Sequence, residues 1–398
     1  MFQKLLRKAK ISSSAYPLKG TDLLLPLGKE ILSNIEKLSL STYKEIGYRE
    51  VDLPSIVPAE MINHLSKEGL FKLNNKHIEF FLTPGYETQS VVILKNIVDN
   101  YEMFPIKIFK KGKAYRQDSK IHLIKNLELR IVELNSFFIT KEEAEKELII
   151  LNEIAKKNLI SLGIPYIKVK NSQVPTQYKF IGFFPHSGKF GTIIPTVLLG
   201  EKHSQQCNVF FKNKGKKRFY PIQVNSGFTG RILAAYLSNH MDKEKGFILD
   251  HNISPYEFII NELDFNEAQL ANLKLKLQKE KISYLLLRKK SNNLSYQHFI
   301  ATGIPAQIGF KKGYLEITER DGTVIRKNYN NDLKMPHPNK DLAIEEKKIE
   351  IRQINNGLKE YEHNIIYATT NPNFNLDNKL KFIGLNEENQ KLFVKSKY

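Results

Sequence analysis

The chain has 398 residues, 41% hydrophobic and 26% charged, an ordinary globular composition too long for one core, so two or three domains are expected. Its 61 Lys and Arg outweigh 42 Asp and Glu to give a net charge of +19, which favours a polyanionic partner such as RNA through counterion release. The single cysteine, Cys207, excludes an internal disulfide and a cysteine-based zinc site, and no apolar run approaches the roughly 18 residues of a membrane span.

The first ten residues, MFQKLLRKAK, are basic, but no apolar core or small-residue cleavage site follows. A cytoplasmic protein with no membrane partner is therefore expected. Leu27, Ile31, Ile35, Leu38 and Ile46 fall three, four or eight apart, one face of an amphipathic helix that Gly47 ends. Residues 48–53 read as a strand closed by Pro54, and 79–82, 106–114 and 129–138 as further strands of an antiparallel sheet. Between 141 and 162, Ala144, Leu148, Leu151, Ala155 and Leu159 repeat at helical spacing. They follow Thr140, an N-cap with Glu143 three residues on, and Gly163 and Pro165 stop that helix. Strand-like runs return at 166–170, 190–199, 207–211 and 218–224, the last two joined by the basic turn Lys212-Asn-Lys-Gly-Lys-Lys-Arg218, and 229–240 reads as a helix.

After 250–255 the pattern changes. Strand 256–262, helix 266–280, strand 283–288, a helix near 294–302 and strands 305–309 and 314–319 imply a small α/β domain with a mixed sheet. The last fifty residues, opening on the charged run 344–348, are polar and weakly periodic. No internal repeat is found.

Several segments in this order resemble one family, the class II aminoacyl-tRNA synthetases, and within it the prolyl-tRNA synthetases of the archaeal and eukaryotic type. The helix, strand and Pro54 look like the family's motif 1, which implies a homodimer. The loop Thr83-Pro-Gly-Tyr-Glu-Thr88 resembles the family's Arg-Pro-Thr-Ser-Glu-Thr. That implies Gly85 and Glu87 face the amino acid, whose nitrogen needs a charge-assisted acceptor. The run from Phe104-Pro105 to Arg116-Gln-Asp118 resembles motif 2. By that resemblance Arg116 clamps the α-phosphate of ATP, Asp118 contacts the adenine, Glu128 binds ATP, and Glu133 and Asn135 face the amino acid. A guanidinium suits the first role because charge builds on the phosphoryl oxygens in the transition state.

The stretch from Phe184-Pro-His-Ser-Gly188 through Leu199-Gly200, and then Gln223 to Gly246, resembles the segment leading into motif 3. It implies Gln223 and Arg231 on ATP, Gly227 against the amino acid, and Glu201 within reach of Mg²⁺. Gly303-Ile-Pro305, Gly309 and Glu319-Arg-Asp-Gly322 resemble the family's anticodon-binding domain, which implies phosphate contacts from Lys311, Lys312 and Arg320. No editing insertion lies between motifs 2 and 3, and the terminal Tyr398 matches a tyrosine whose carboxylate reaches the site in that family.

The expected fold is therefore α+β: an antiparallel-sheet catalytic domain over 1–252, an anticodon-binding domain over 253–340 and a small domain without zinc cysteines over 341–398. The implied activity is ATP- and Mg²⁺-dependent formation of prolyl-adenylate and transfer to tRNA, tRNA-Pro. Leu127, Asn135, Val197 and Gly85 depart from the family's pattern. They leave open a catalytically degenerate paralogue that keeps tRNA or other nucleic-acid binding, and a ligase for another amino acid.

Overall fold

The computed structural model describes residues 2–18, 21, 23–62, 68–73, 78–117, 127–174, 176–242, 246–288, 292–329, 349–353, 365–370 and 380–395. Asp118, Tyr398 and the run 344–348 lie outside them. Two compact units form. One gathers Met1–Tyr16, Asp22–Leu38 and Leu237–Glu346; the other gathers Pro17–Thr21, Ser39–Tyr236 and Lys347–Tyr398.

The second unit is built on an eleven-stranded sheet. Its centre is the antiparallel run Tyr166–Lys170, Gln177–Phe184, Lys189–Gly200, Ile222–Thr229, Glu128–Phe138 and Ile106–Tyr115, in that spatial order. The edge strand Arg49–Glu50 pairs in parallel with Ile106–Tyr115. Antiparallel pairing of Ile106–Tyr115 with Glu128–Phe138 runs unbroken from Ile106↔Phe137 to Tyr115↔Glu128. That register sets which side chains share a face.

The helix Lys141–Ser161 starts at a complete capping box. The Thr140 hydroxyl accepts from Glu143 N at 3.3 Å, and the Glu143 carboxylate accepts from Thr140 N at 3.2 Å. Its predicted stripe of Ala144, Leu148, Leu151, Ala155 and Leu159 is buried, while Ile149 and Ile160 on the opposite face stay exposed. One charge lies in the buried face. Glu147, 2% exposed, receives Lys107 Nζ at 2.6 Å and the Tyr48 hydroxyl at 2.9 Å, which compensates its loss of water.

Three elements differ from the sequence reading. Gln177–Phe184 is a strand that the polar residues before it concealed. Within 207–211 only Phe211 pairs, in the two-residue ladder of Phe211–Lys212 with Arg218–Phe219, because Lys202–Gln206 is a short helix and Val209 is spent in the core. The polar tail contributes four strands, Glu350–Gln353, Ile365–Thr369, Leu380–Leu385 and Lys391–Lys395, which extend the large sheet through the single pairing Leu385↔Lys170.

The first unit holds a five-stranded mixed sheet in the order Tyr284–Leu287, Phe258–Asn261, Ala306–Lys311, Tyr314–Glu319, Val324–Asn328, parallel for the first three and antiparallel thereafter. Phe258, Ile260, Leu273, Leu277, Ile308, Leu315 and Ile317 form its core with the helix Glu267–Lys279. The N-terminal helix Phe2–Lys8 belongs to the same unit, where Phe2 meets Phe247 edge to face at 5.9 Å.

Candidate active site

Glu133 and Asn135 stand two apart on the strand Glu128–Phe138 and so share a face of the sheet. The adjacent strand Ile222–Thr229 brings Gly227 opposite Glu133 and Asn225 opposite Asn135. Gly227 is required there. Its φ is +154° and an added Cβ would overlap the Val132 carbonyl oxygen, so the two strands approach closer than any side chain allows.

The facing amides form one network. Asn225 Nδ2 donates to Glu133 Oε1 at 3.3 Å and Asn135 Oδ1 at 3.1 Å. Asn135 Nδ2 donates to Glu133 Oε1 at 3.1 Å and the Ser90 hydroxyl at 3.0 Å. Gln223 Nε2 donates to Asn135 Oδ1 at 2.7 Å and the Glu87 carbonyl at 3.0 Å, while its Oε1 lies 2.8 Å from His203 Nδ1. The six side chains, of Ser90, Glu133, Asn135, His203, Gln223 and Asn225, are buried, and interlocked bonds in so dry a place hold one another in a single arrangement.

The loop Thr83–Thr88 lies over this network. Tyr86 N donates to both oxygens of Glu133, at 3.1 and 3.0 Å, and its fully buried ring sends the hydroxyl to the Lys113 carbonyl at 2.9 Å. Gly112 makes room for that ring, since a Cβ there would strike the Tyr86 hydroxyl. Tyr86 is thus the anchor of the loop. Gly85 leaves space on the outer side, into which the Glu87 carboxylate folds; a Cβ at 85 would displace it. Arg116 grips the same loop, with Nε and Nη2 on the Pro84 carbonyl at 3.2 and 2.9 Å.

A cavity of about 510 Å³ opens beside the loop, its wall including Gly85, Glu87, Thr88, Arg116, Lys202 and His203. It therefore presents a carboxylate and a guanidinium to one small ligand. Burial, and after it the negative charge of Glu87, lifts the Glu133 carboxyl to about 8, against the lowering pull of the Tyr86 N–H, Asn135 and Arg116.

Other predicted residues stand elsewhere. Arg231 opens the helix Arg231–Asn239 as expected, with Nη1 on the Thr192 carbonyl at 2.7 Å, and is not among the residues lining the cavity. Glu128 pairs with Lys113 at 2.7 Å at the far end of its strand. Glu201 precedes the helix Lys202–Gln206 and accepts from Gln205 Nε2 at 2.8 Å. Among the described residues no group of three His, Cys, Asp or Glu side chains is placed to hold a metal.

In the other unit, Lys311 and Lys312 are exposed, with Lys312 at φ +51° in the tight turn between Ala306–Lys311 and Tyr314–Glu319. Arg320 is corrected. It is 5% exposed and donates to the Phe299 and Ile300 carbonyls at 3.1 and 3.0 Å, so it satisfies the end of the helix Asn292–Thr302 instead of reaching a phosphate. Asn225 and His203 were not anticipated. Asn225 was readable, since it alternates with Gln223 and Gly227 on the strand, whereas His203 meets Gln223 only through the fold.

No family model matches the chain. Curated relatives do: proline--tRNA ligase of Methanocaldococcus jannaschii is 28% identical over 288 residues, 66% of this chain and 62% of that protein. The ligase of Thermoplasma acidophilum is 23% identical over 94% of this chain and 86% of its own length. Among solved structures, prolyl-tRNA synthetase of Cryptosporidium parvum complexed with L-proline and AMP superposes with a TM-score of 0.78 at 16% identity, over 99% of this chain and 96% of that one. The fold is that of the class II prolyl-tRNA synthetases. The Giardia lamblia enzyme in complex with prolyl-adenylate agrees, with a TM-score of 0.72 at 18% identity over 82% of this chain and 74% of that one. The chain nonetheless spans only about three fifths of the length of the archaeal relative matched first. Within this prolyl-tRNA synthetase fold, the large antiparallel sheet carries the cavity and the Glu133–Asn135–Gln223 network. No helix among the described residues is long and apolar enough to cross a membrane.

Proposed function

We propose that the protein is an ATP-dependent prolyl-tRNA synthetase, joining proline to AMP with release of pyrophosphate and passing the prolyl group to the 3′ end of tRNA, tRNA-Pro. The observation that carries this reading is one cavity with Glu87 and Arg116 on its wall beside His203, which joins that wall to the buried network through Gln223. Glu87 and Glu133 would take the secondary ammonium of proline, and Gly85, Asn135 and Gly227 would shape the pocket around its ring. Arg116 and Arg231 would hold the triphosphate, Glu128 and Asp118 the rest of ATP. Gln223 is tied to Asn135 and His203, so its part is to position the amino-acid wall.

The proline carboxylate attacks the α-phosphorus and pyrophosphate leaves; the protein contributes alignment and charge, with no covalent nucleophile. Glu201 would offer a carboxylate to a Mg²⁺ accompanying ATP, and the metal would supply charge to offset the triphosphate. A homodimer and phosphate contacts from Lys311 and Lys312 complete the proposal.

The decisive assay is amino-acid-dependent exchange of pyrophosphate into ATP. Signal with proline, reduced on the order of a hundredfold or more by Arg116→Ala and by Glu87→Gln, supports the reading. Gly85 and Asn135 alter the pocket wall, so the exchange is repeated with other amino acids. Signal with one of those alone moves the activity to that substrate, and none with any, alongside retained tRNA binding, leaves a binding protein.

A further inference from the structure

Between the helix Lys202–Gln206, whose Lys202 and His203 line the cavity, and the strand Ile222–Thr229, which carries Gln223 and Asn225, the chain makes a small hairpin. Phe211↔Phe219 and Lys212↔Arg218 are its only ladder pairs. Its tip is nevertheless fixed. Asn213 N donates to the Lys217 carbonyl at 3.0 Å, Lys216 N to the Asn213 carbonyl at 2.8 Å, and Lys217 N to the Asn213 side chain at 3.0 Å. Beneath it, Phe104 meets Phe211 and Phe219 edge to face at 5.3 and 5.7 Å, which seats the hairpin on the sheet's core.

Five cations project from this support: Lys212, Lys214, Lys216, Lys217 and Arg218, all exposed. Among the described residues none of them forms an ion pair. Arg218 lies over the Phe210 ring, its guanidinium carbon 3.6 Å from the centroid, with Tyr220 against the same ring at 6.2 Å. A solvated surface normally mixes the two signs of charge, and here no acid interrupts five cations in seven residues. Such an array, held rigid, gathers phosphates at a regular spacing without reading bases.

We propose that this hairpin is a docking surface for the phosphate backbone of the RNA substrate, holding the strand whose 3′ end must enter the cavity. The RNA's identity rests on the synthetase reading above; the surface itself rests on the hairpin. Five cations uninterrupted by an acid complement a phosphate backbone, and the chain on either side of the hairpin leads into site elements, Lys202–Gln206 and Ile222–Thr229, which favours the RNA substrate over a lipid surface.

The test is a charge-removed variant, K212S/K214S/K216N/K217S, which keeps Arg218 on its ring and places asparagine where φ is +60°. A control removes four lysines from the exposed face of the helix Lys141–Ser161: K141Q/K146Q/K156Q/K157Q. Binding of a transcribed tRNA-Pro is measured by fluorescence anisotropy from 50 to 300 mM KCl. The expected result is a slope of log Kd against log salt smaller by roughly two to four in the hairpin variant. Kd should rise about tenfold or more at 150 mM, with the control unchanged. Pyrophosphate exchange, which needs no RNA, should be unaltered. A hairpin variant with the wild-type slope overturns the inference, as does equal loss in the control. Loss of binding to phosphatidylserine vesicles without loss of tRNA binding overturns it in favour of a membrane. Hairpin-dependent RNA binding without any exchange activity keeps this inference and sinks the synthetase reading; exchange with hairpin-insensitive RNA binding does the reverse.

Discussion

Glu133 accepts N–H groups from Tyr86, Asn135 and Asn225, contacts that favour a carboxylate, yet burial and the nearby charge of Glu87 raise it from 4.5 to about 8. Neutral donors do not replace the water removed from a group 3% exposed. The sign of the consequence follows. Below about pH 4.5 folded and unfolded chains both hold this proton; between there and about 8 the unfolded chain releases it while the folded chain keeps it, so stability falls as pH rises and levels off above 8. Each unit of the difference is worth about 1.4 kcal/mol. Glu133→Gln should therefore gain on the wild type as pH rises from 5 to 8, read from urea midpoints at each pH, and a pH-independent gap between the two would refute this account. An incoming ammonium adds a positive charge that opposes the burial-driven shift, so proline binding near pH 7 should release a proton. Isothermal titration in buffers of different ionisation enthalpy reads that directly. At Gly227, alanine should cost more than about 2 kcal/mol through the overlap with Val132 and the positive φ, measured by the same urea titrations.

Two elements meet at Glu147, where the helix Lys141–Ser161 answers Lys107 of the strand Ile106–Tyr115 and the Tyr48 hydroxyl. Lys107 is 15% exposed and Glu147 2%, so the pair is compensated only while both members are present. Lys107→Met should cost about 3–5 kcal/mol by leaving a buried carboxylate unpaired, while K107M/E147L should recover most of that loss. A double-mutant cycle on urea midpoints decides it: additive costs would mean the two side chains do not act together. This helix was legible in full, from its cap at Thr140 to its buried stripe, because amphipathic spacing and a capping box are local signals. The partner of Glu147 was not, because it joins residues forty positions apart. The same division runs through the site. The loop 83–88 and the strands bearing Glu133 and Gly227 could be found along the chain, whereas His203 reaches Gln223, and Tyr86 enters the space above Gly112, only when the sheet assembles.

For the whole molecule, the pattern change after 250–255 marked the small mixed sheet, but the membership of the units did not follow chain order. Residues 1–16 and 22–38 share a unit with 237–346, and 347–398 share one with 39–236. Short apolar runs such as Ile365–Thr369 and Lys391–Lys395, separated by polar stretches, carry too few residues to announce a sheet until their neighbours are known. Arg320 shows the converse: a cation in a matching motif, turned inward to hold helix carbonyls. Because the cavity belongs entirely to the larger unit, occupancy should be felt unevenly. A non-hydrolysable prolyl-adenylate analogue at a hundred times its Kd should stabilise the state that binds it by about 2.7 kcal/mol. Hydrogen exchange should then slow at amides of Glu128–Phe138 and Ile222–Thr229, which frame the network, and keep its rate at Phe258–Asn261 and Ala306–Lys311, whose core has no part in the cavity. Equal protection of both sheets would mean that they open as one cooperative body. Protection confined to the smaller sheet would move the binding site out of the cavity altogether.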